Sequence, residues 1–104
     1  MDWDLCITSG SQSAMSSAFD LLLNKGDGII VERPTYSGAL AALRKLNPQY
    51  YAIDLDEDGL QPAQLSNLLD NFAALHPNKT KPRVLYTIPT GQNPSGTTIS
   101  QSRR

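Results

Sequence analysis

Gly28-Ile29-Ile30-Val31-Glu32-Arg33-Pro34 is a short apolar run fenced by a glycine and a proline, and its reading settles the architecture. Three consecutive β-branched residues without polar alternation suit a strand buried on both faces, the habit of parallel sheets covered by helices. The flanking segments agree. From Ser13 to Leu23, Ala14, Ala18 and Leu21/Leu22 recur at helical spacing beside Met15 and Phe19, and Asn24-Lys25-Gly26-Asp27-Gly28 stops that helix. On the other side a helix is expected from about Ser37 to Leu46, with Leu40, Leu43 and Leu46 inward, until Asn47-Pro48 ends it.

Further outward the alternation continues. Leu5-Cys6-Ile7-Thr8 is read as a strand leading into the first helix, with Cys6 buried in it. Tyr50 to Leu55 is another strand, and Pro62 opens a helix whose Leu65, Leu68, Leu69 and Phe72 follow the i, i+3, i+4, i+7 pattern. Arg83 to Ile88 forms the last strand, and the turn-rich stretch 89–96 follows it. Strands alternating with helices predict an α/β fold, a partial three-layer sandwich around a mostly parallel sheet with right-handed crossovers. The chain enters a strand close to Met1 and stops at the polar opening of another helix, so both ends read as cut.

Composition excludes several classes. The 104 residues carry 9 Lys plus Arg against 10 Asp plus Glu, which leaves no basic face for nucleic acid and no polybasic membrane patch. No apolar run approaches the roughly 20 residues of a membrane span, and no signal peptide is visible. One cysteine permits no internal disulfide and fits a reducing compartment. Asp56-Glu57-Asp58-Gly59 lacks the spacing of a calcium loop and reads as a solvated turn, and His76 has no second histidine or clustered carboxylates nearby, so no metal site is expected.

In open parallel sheets ligands gather at the carboxyl ends of the strands, which brings the loops at 8–12, 32–38 and 89–96 to one edge. Thr8-Ser9-Gly10-Ser11-Gln12 offers amides, hydroxyls and a helix amino end that suit a phosphate dianion, although a simple helix cap would look the same. Tyr36 lies just past a strand end, where it either stacks on a planar heterocycle or packs against its own loop. Pro89-Thr90-Gly91-Gln92-Asn93-Pro94-Ser95-Gly96 fixes the backbone twice by proline and frees it twice by glycine, a design that presents Asn93. A cis Asn93-Pro94 bond would aim that amide into a cleft; a rigid turn without ligand is the alternative.

Taken in order, Thr-Ser-Gly-Ser-Gln, Pro-Thr-Tyr-Ser-Gly and Pro-Thr-Gly-Gln-Asn-Pro-Ser-Gly resemble fold-type-I aminotransferases of class I/II, and within them the kynurenine and α-aminoadipate aminotransferase branch. The resemblance runs from about Trp3 to Arg104 and makes residues 1–104 an incomplete cofactor-binding large domain. It implies pyridoxal 5'-phosphate as cofactor, with Gly10, Ser11 and Gln12 on the phosphate, Tyr36 stacked on the ring and Asn93 bonded to the phenolic oxygen. Ser95 stands where the family often has threonine, and it keeps the hydroxyl.

The same resemblance implies an amino acid and a 2-oxo acid as substrates and a homodimer for the complete enzyme. A cytoplasmic location follows, with a mitochondrial one left open. The family's Schiff-base lysine, the aspartate at the ring nitrogen and the arginine for the substrate carboxylate have no matching positions here. Lys25, Lys45, Lys79 and Lys81 fall in turns or helix ends, so no catalytic residue is assigned and the isolated chain is expected to be inactive. A truncated isoform that binds the full-length enzyme is the alternative, and an independent phosphate-ligand binder is a third.

Overall fold

The computed structural model describes all residues, Met1–Arg104. Its centre is β1, Gly28–Arg33, whose interior residues are buried as the unbroken apolar run requires. β1 pairs in parallel with β2, Gln49–Asp56, from Gly28 opposite Gln49 to Arg33 opposite Asp54. β2 turns back antiparallel onto β3, Gly59–Leu60. On its other side β1 pairs in parallel with β4, Leu85–Tyr86, at Ile30 and Val31, which gives the order β3-β2-β1-β4.

Helices cover both faces because successive strand side chains point to opposite sides. Ile29 and Val31 pack with Phe19 and Leu23, which belong to and directly follow α1 (Ser11–Leu22), and with Ala39 and Leu43 of α2 (Ser37–Leu43). Ile30 packs oppositely with Tyr51, Ile53, Leu68 of α3 (Pro62–Asp70) and Phe72 of the short α4 (Phe72–Leu75). The result is the expected α/β sandwich with a mostly parallel sheet. Single 3-10 turns follow α2 at Arg44–Leu46 and close the chain at Gln101–Arg103.

Several local expectations are corrected. Residues 5–8 form no strand: Leu5 and Ile7 are 74% and 91% exposed, and Cys6 is an exposed free thiol. A strand needs a neighbour for its backbone groups, and residues 5–8 pair with none of the four strands of this sheet. In α1 the inward stripe is Met15, Phe19 and the following Leu23, whereas Ala14, Ala18, Leu21 and Leu22 face outward. The last strand is shorter than residues 83–88, since only Leu85–Tyr86 finds ladder partners on β1.

His76, expected as a surface histidine, is half-buried and stands edge-on to Tyr51 at 4.8 Å with Phe72 at 5.1 Å. The acidic turn is solvated at Glu57 and Asp58, but the Asp56 carboxylate accepts two guanidinium hydrogen bonds from Arg103, at 2.5 and 2.9 Å. Arg103 also donates to the carbonyls of Gly59 and Leu60, so the last residues are tied to the β2–β3 hairpin.

Candidate functional site

The carboxyl ends of β1 and β4 open onto a cleft of about 330 Å³ lined by Ser11, Gln12, Met15, Tyr36, Tyr86, Ile88 and Asn93. Four of the five residues singled out in the sequence thus meet, although the loops that carry them are far apart in the chain. Gly10, the fifth, does not line the cleft; it is the residue before α1, with φ at 143°, a conformation that glycine adopts without a Cβ penalty.

α1 begins without a side-chain hydrogen bond to its free amides and without an acidic residue in its first turn. Its amino end therefore keeps the partial positive charge of the helix available to an anion in the cleft. Gln12 also has a partner within the fold: its Nε2 donates to the carbonyl of Gly38 at 2.9 Å and ties α1 to the start of α2. Thr8 turns its hydroxyl onto the Gly10 carbonyl at 3.0 Å, which steadies the turn before the helix.

Tyr36 packs against its own loop and also borders the cleft. Its ring lies against Gly38, where a Cβ would come within 2.5 Å of Cε1 and of the hydroxyl, and it lines the cleft as well. Gly38 is therefore the bed of this ring, a role that sequence reasoning missed; the nearby tyrosine two residues earlier is its only signal. Opposite stands Tyr86, in edge contact with Phe19 at 5.8 Å. Burial, helped by Glu32 and Tyr36, pushes the Tyr86 phenol above its ordinary range, so this wall stays neutral.

Asn93 is exposed at the rim, and the Asn93-Pro94 peptide is cis, as is Arg33-Pro34. The loop carries two amide side chains with opposite environments, because Gln92 is 2% exposed while its neighbour faces the cleft. Gln92 Nε2 donates to the Pro34 carbonyl at 2.8 Å, and its Oε1 accepts from the Ser95 amide at 2.8 Å. Glu32, 1% exposed, accepts from the Thr87 hydroxyl at 2.9 Å, the Ile88 amide at 3.0 Å and Gln92 Nε2 at 3.4 Å. Neither Glu32 nor Gln92 was singled out in the sequence; an acid at the end of a buried strand was the available clue.

The four lysines lie elsewhere. Lys79 and Lys81 border hollows at Gly26–Gly28, the amino end of β1, and Lys25 sits in the turn just before it. Lys45 pairs with Asp20 at 2.7 Å on the flank of α1.

A helix amino end without a side-chain cap, an aromatic ring and an exposed amide thus share one cleft. Residues 2–103 match the family of aminotransferases of class I and II, and the chain belongs to that family. It is 41% identical over 102 residues to an aromatic amino acid aminotransferase of Schizosaccharomyces pombe, a match that covers 98% of this chain and 22% of that protein. The mitochondrial kynurenine/alpha-aminoadipate aminotransferase of Bos taurus is 38% identical over 104 residues, covering 97% of this chain and 24% of its own length.

Among solved structures, the kynurenine aminotransferase of Pyrococcus horikoshii, crystallised with PMP, superposes with a TM-score of 0.84 at 42% identity, over 92% of this chain and 23% of that one. The chain thus spans about a quarter or less of the length of the relatives it matches. No helix is long and apolar enough to cross a membrane.

Proposed function

We propose that residues 1–104 supply one wall of the pyridoxal-phosphate site of an enzyme that moves an amino group from an amino acid to a 2-oxo acid. The observation that carries this reading is the convergence of Ser11, Gln12, Tyr36 and Asn93 on one cleft beneath an uncapped helix amino end. The residues fit the cofactor. Amides around Gly10, Ser11 and Gln12, with the Ser11 hydroxyl, hold the phosphate without a lysine. Tyr36, seated on Gly38, stacks on the ring, and the Asn93 amide donates to the phenolic oxygen.

The chemistry that the cofactor supplies when bound is withdrawal of electrons from the α-carbon of the amino acid, which lets its proton leave. The share of this chain is to bind and orient, and Met15, Tyr86 and Ile88 keep water from the buried side of the cleft. Proton transfer, the ring-nitrogen contact and the grip on the substrate carboxylate call for groups that residues 1–104 do not bring to this cleft, so this stretch alone does not transaminate. The complete protein acts as a homodimer on an aromatic amino acid, kynurenine or α-aminoadipate, the substrates named for its relatives. It works in the cytoplasm, with the mitochondrion as the alternative that the bovine relative suggests.

A second reading, a short isoform docked on a full-length aminotransferase, draws on Trp3, Leu5, Ile7 and Leu21, which stand 68–91% exposed. The two readings part on whether the message continues past the codon for Arg104. The site itself is tested by thermal shift. Pyridoxamine 5'-phosphate binds the folded form alone and raises the midpoint as its concentration passes Kd, whereas pyridoxamine without the phosphate does not. Equal effects of the two compounds, or none from either, defeat the assignment.

A further inference from the structure

Glu32 is a carboxylate with almost no access to water and no cationic partner, so its hydrogen bonds alone must offset its burial. Its two oxygens accept from the Thr87 hydroxyl, the Ile88 amide and Gln92 Nε2, and these three donors all come from the segment that follows β4. Gln92 continues the chain of contacts. Its side chain donates to the Pro34 carbonyl and accepts from the Ser95 amide, while its main chain donates to Thr97 at 2.8 Å and accepts from Gly96 at 2.6 Å. Two buried side chains therefore stitch the loop after β1 to the loop after β4.

Pro34 lies two residues before Tyr36, and Gln92 directly precedes Asn93. The stitched points are thus the roots of two side chains that both line the cleft. We propose that Glu32 and Gln92 are positioning residues of the site, which fix the Asn93 amide relative to the Tyr36 ring without touching the bound molecule. The inference rests on the cofactor reading above. Acceptor and donor chemistry explains the residue types. The Glu32 site faces three donors, and the Gln92 site needs a donor toward the Pro34 carbonyl and an acceptor toward Ser95, which an amide provides on two separate atoms.

The chemistry also orders the variants. Glu32→Gln can turn its NH2 to the Thr87 hydroxyl, which is able to accept, and keep its oxygen toward Ile88 and Gln92. Glu32→Leu leaves those donors unmet. Gln92→Glu sets a carboxylate against the Glu32 carboxylate and the Pro34 carbonyl, so it fails although its shape is unchanged.

The test uses the full chain and pyridoxamine 5'-phosphate, whose ring absorbance reports ionisation of its phenol. In the wild type the Asn93 amide favours the phenolate, so the bound ligand ionises at lower pH than the free one. Asn93→Ala moves that midpoint back up and weakens binding roughly ten-fold, the size of a lost hydrogen bond to a charged group. Glu32→Leu and Gln92→Glu are expected to reproduce both changes, and Glu32→Gln to restore the wild-type midpoint. Ser11→Ala, on the phosphate side, weakens binding and leaves the midpoint in place.

Glu32→Leu and Gln92→Glu variants that lose affinity with an unmoved midpoint overturn the proposal, because a role in general stability would do that. Should Glu32→Leu not fold, Gln92→Glu set against Glu32→Gln separates the same two outcomes. A wild-type chain that fails to bind the ligand overturns the cofactor reading itself, which is a different result from bound ligand with indifferent variants.

Discussion

Gly38→Ala separates fold from site at a single position. Gly38 is the second residue of α2, where alanine favours the helix by up to about 1 kcal/mol over glycine. The added Cβ would lie 2.5 Å from Cε1 and the hydroxyl of Tyr36, and ordinary contact begins near 3.4 Å, so the ring must retreat by about 1 Å. Only the far end of one side chain has to move, which keeps the strain out of the backbone. Because the buried cluster of Phe19, Leu23 and Val31 backs the ring, it yields toward the cleft and tilts off the plane where it would stack.

Loss of an aromatic stack is worth about 1 kcal/mol, or roughly five-fold in Kd. The expected outcome is thus a variant whose midpoint of thermal unfolding is unchanged or a few degrees higher, of order 4 °C, and whose affinity for pyridoxamine 5'-phosphate drops about five-fold. Thermal unfolding and fluorescence titration on the same preparation read both quantities, and Tyr36→Phe serves as a control that keeps the ring. Unaltered affinity together with a higher midpoint would refute the claim that Gly38 seats a stacking ring. A large fall in stability would refute the claim that the strain is local.

Other expectations follow from the same contacts. Leu43→Ala, which empties a fully buried site in the α1/α2 cluster, should cost about 2–5 kcal/mol in chemical denaturation, a large share of the roughly 5–15 kcal/mol typical of small domains. Gln12→Ala removes the bond to the Gly38 carbonyl; on an exposed surface this costs about 0.5 kcal/mol, and hydrogen exchange should rise at the start of α2 rather than in β1. Hydrogen bonds from Arg103 hold the Asp56 carboxyl below the usual carboxylate range. A depressed folded pKa stabilises above the unfolded value near about 3.9 and is lost as pH falls through the folded one. The stability curves of wild type and Arg103→Ala should therefore stand apart at neutral pH and converge in acid below about pH 4, as measured by denaturation at a series of pH values.

Layer order was already dictated by the residue pattern. Ile29, Ile30 and Val31 with no polar break demanded helices on both sides of one strand, and the leucines of residues 62–72 supplied one of them. The same pattern marked which loops meet at the cleft, because Ser11, Gln12, Tyr36 and Asn93 sit where proline, glycine and a helix start make the backbone special. Periodicity could not choose the inward stripe of α1, since Ala14, Ala18 and Leu21 repeat as regularly as Met15, Phe19 and Leu23, and only contact with β1 separates them.

The Leu5–Thr8 segment makes the same point in reverse. Its apolar residues are fit for a strand, yet pairing is a property of two segments, and no neighbour reaches it. Glu32 and Gln92 depended most on tertiary packing. Their partners Thr87, Ile88, Pro34 and Ser95 lie tens of residues away along the chain or are main-chain groups, whose positions no local pattern encodes. Local chemistry is written in short stretches of sequence, while the burial of a polar group and the bed of an aromatic ring exist only after distant segments have packed together.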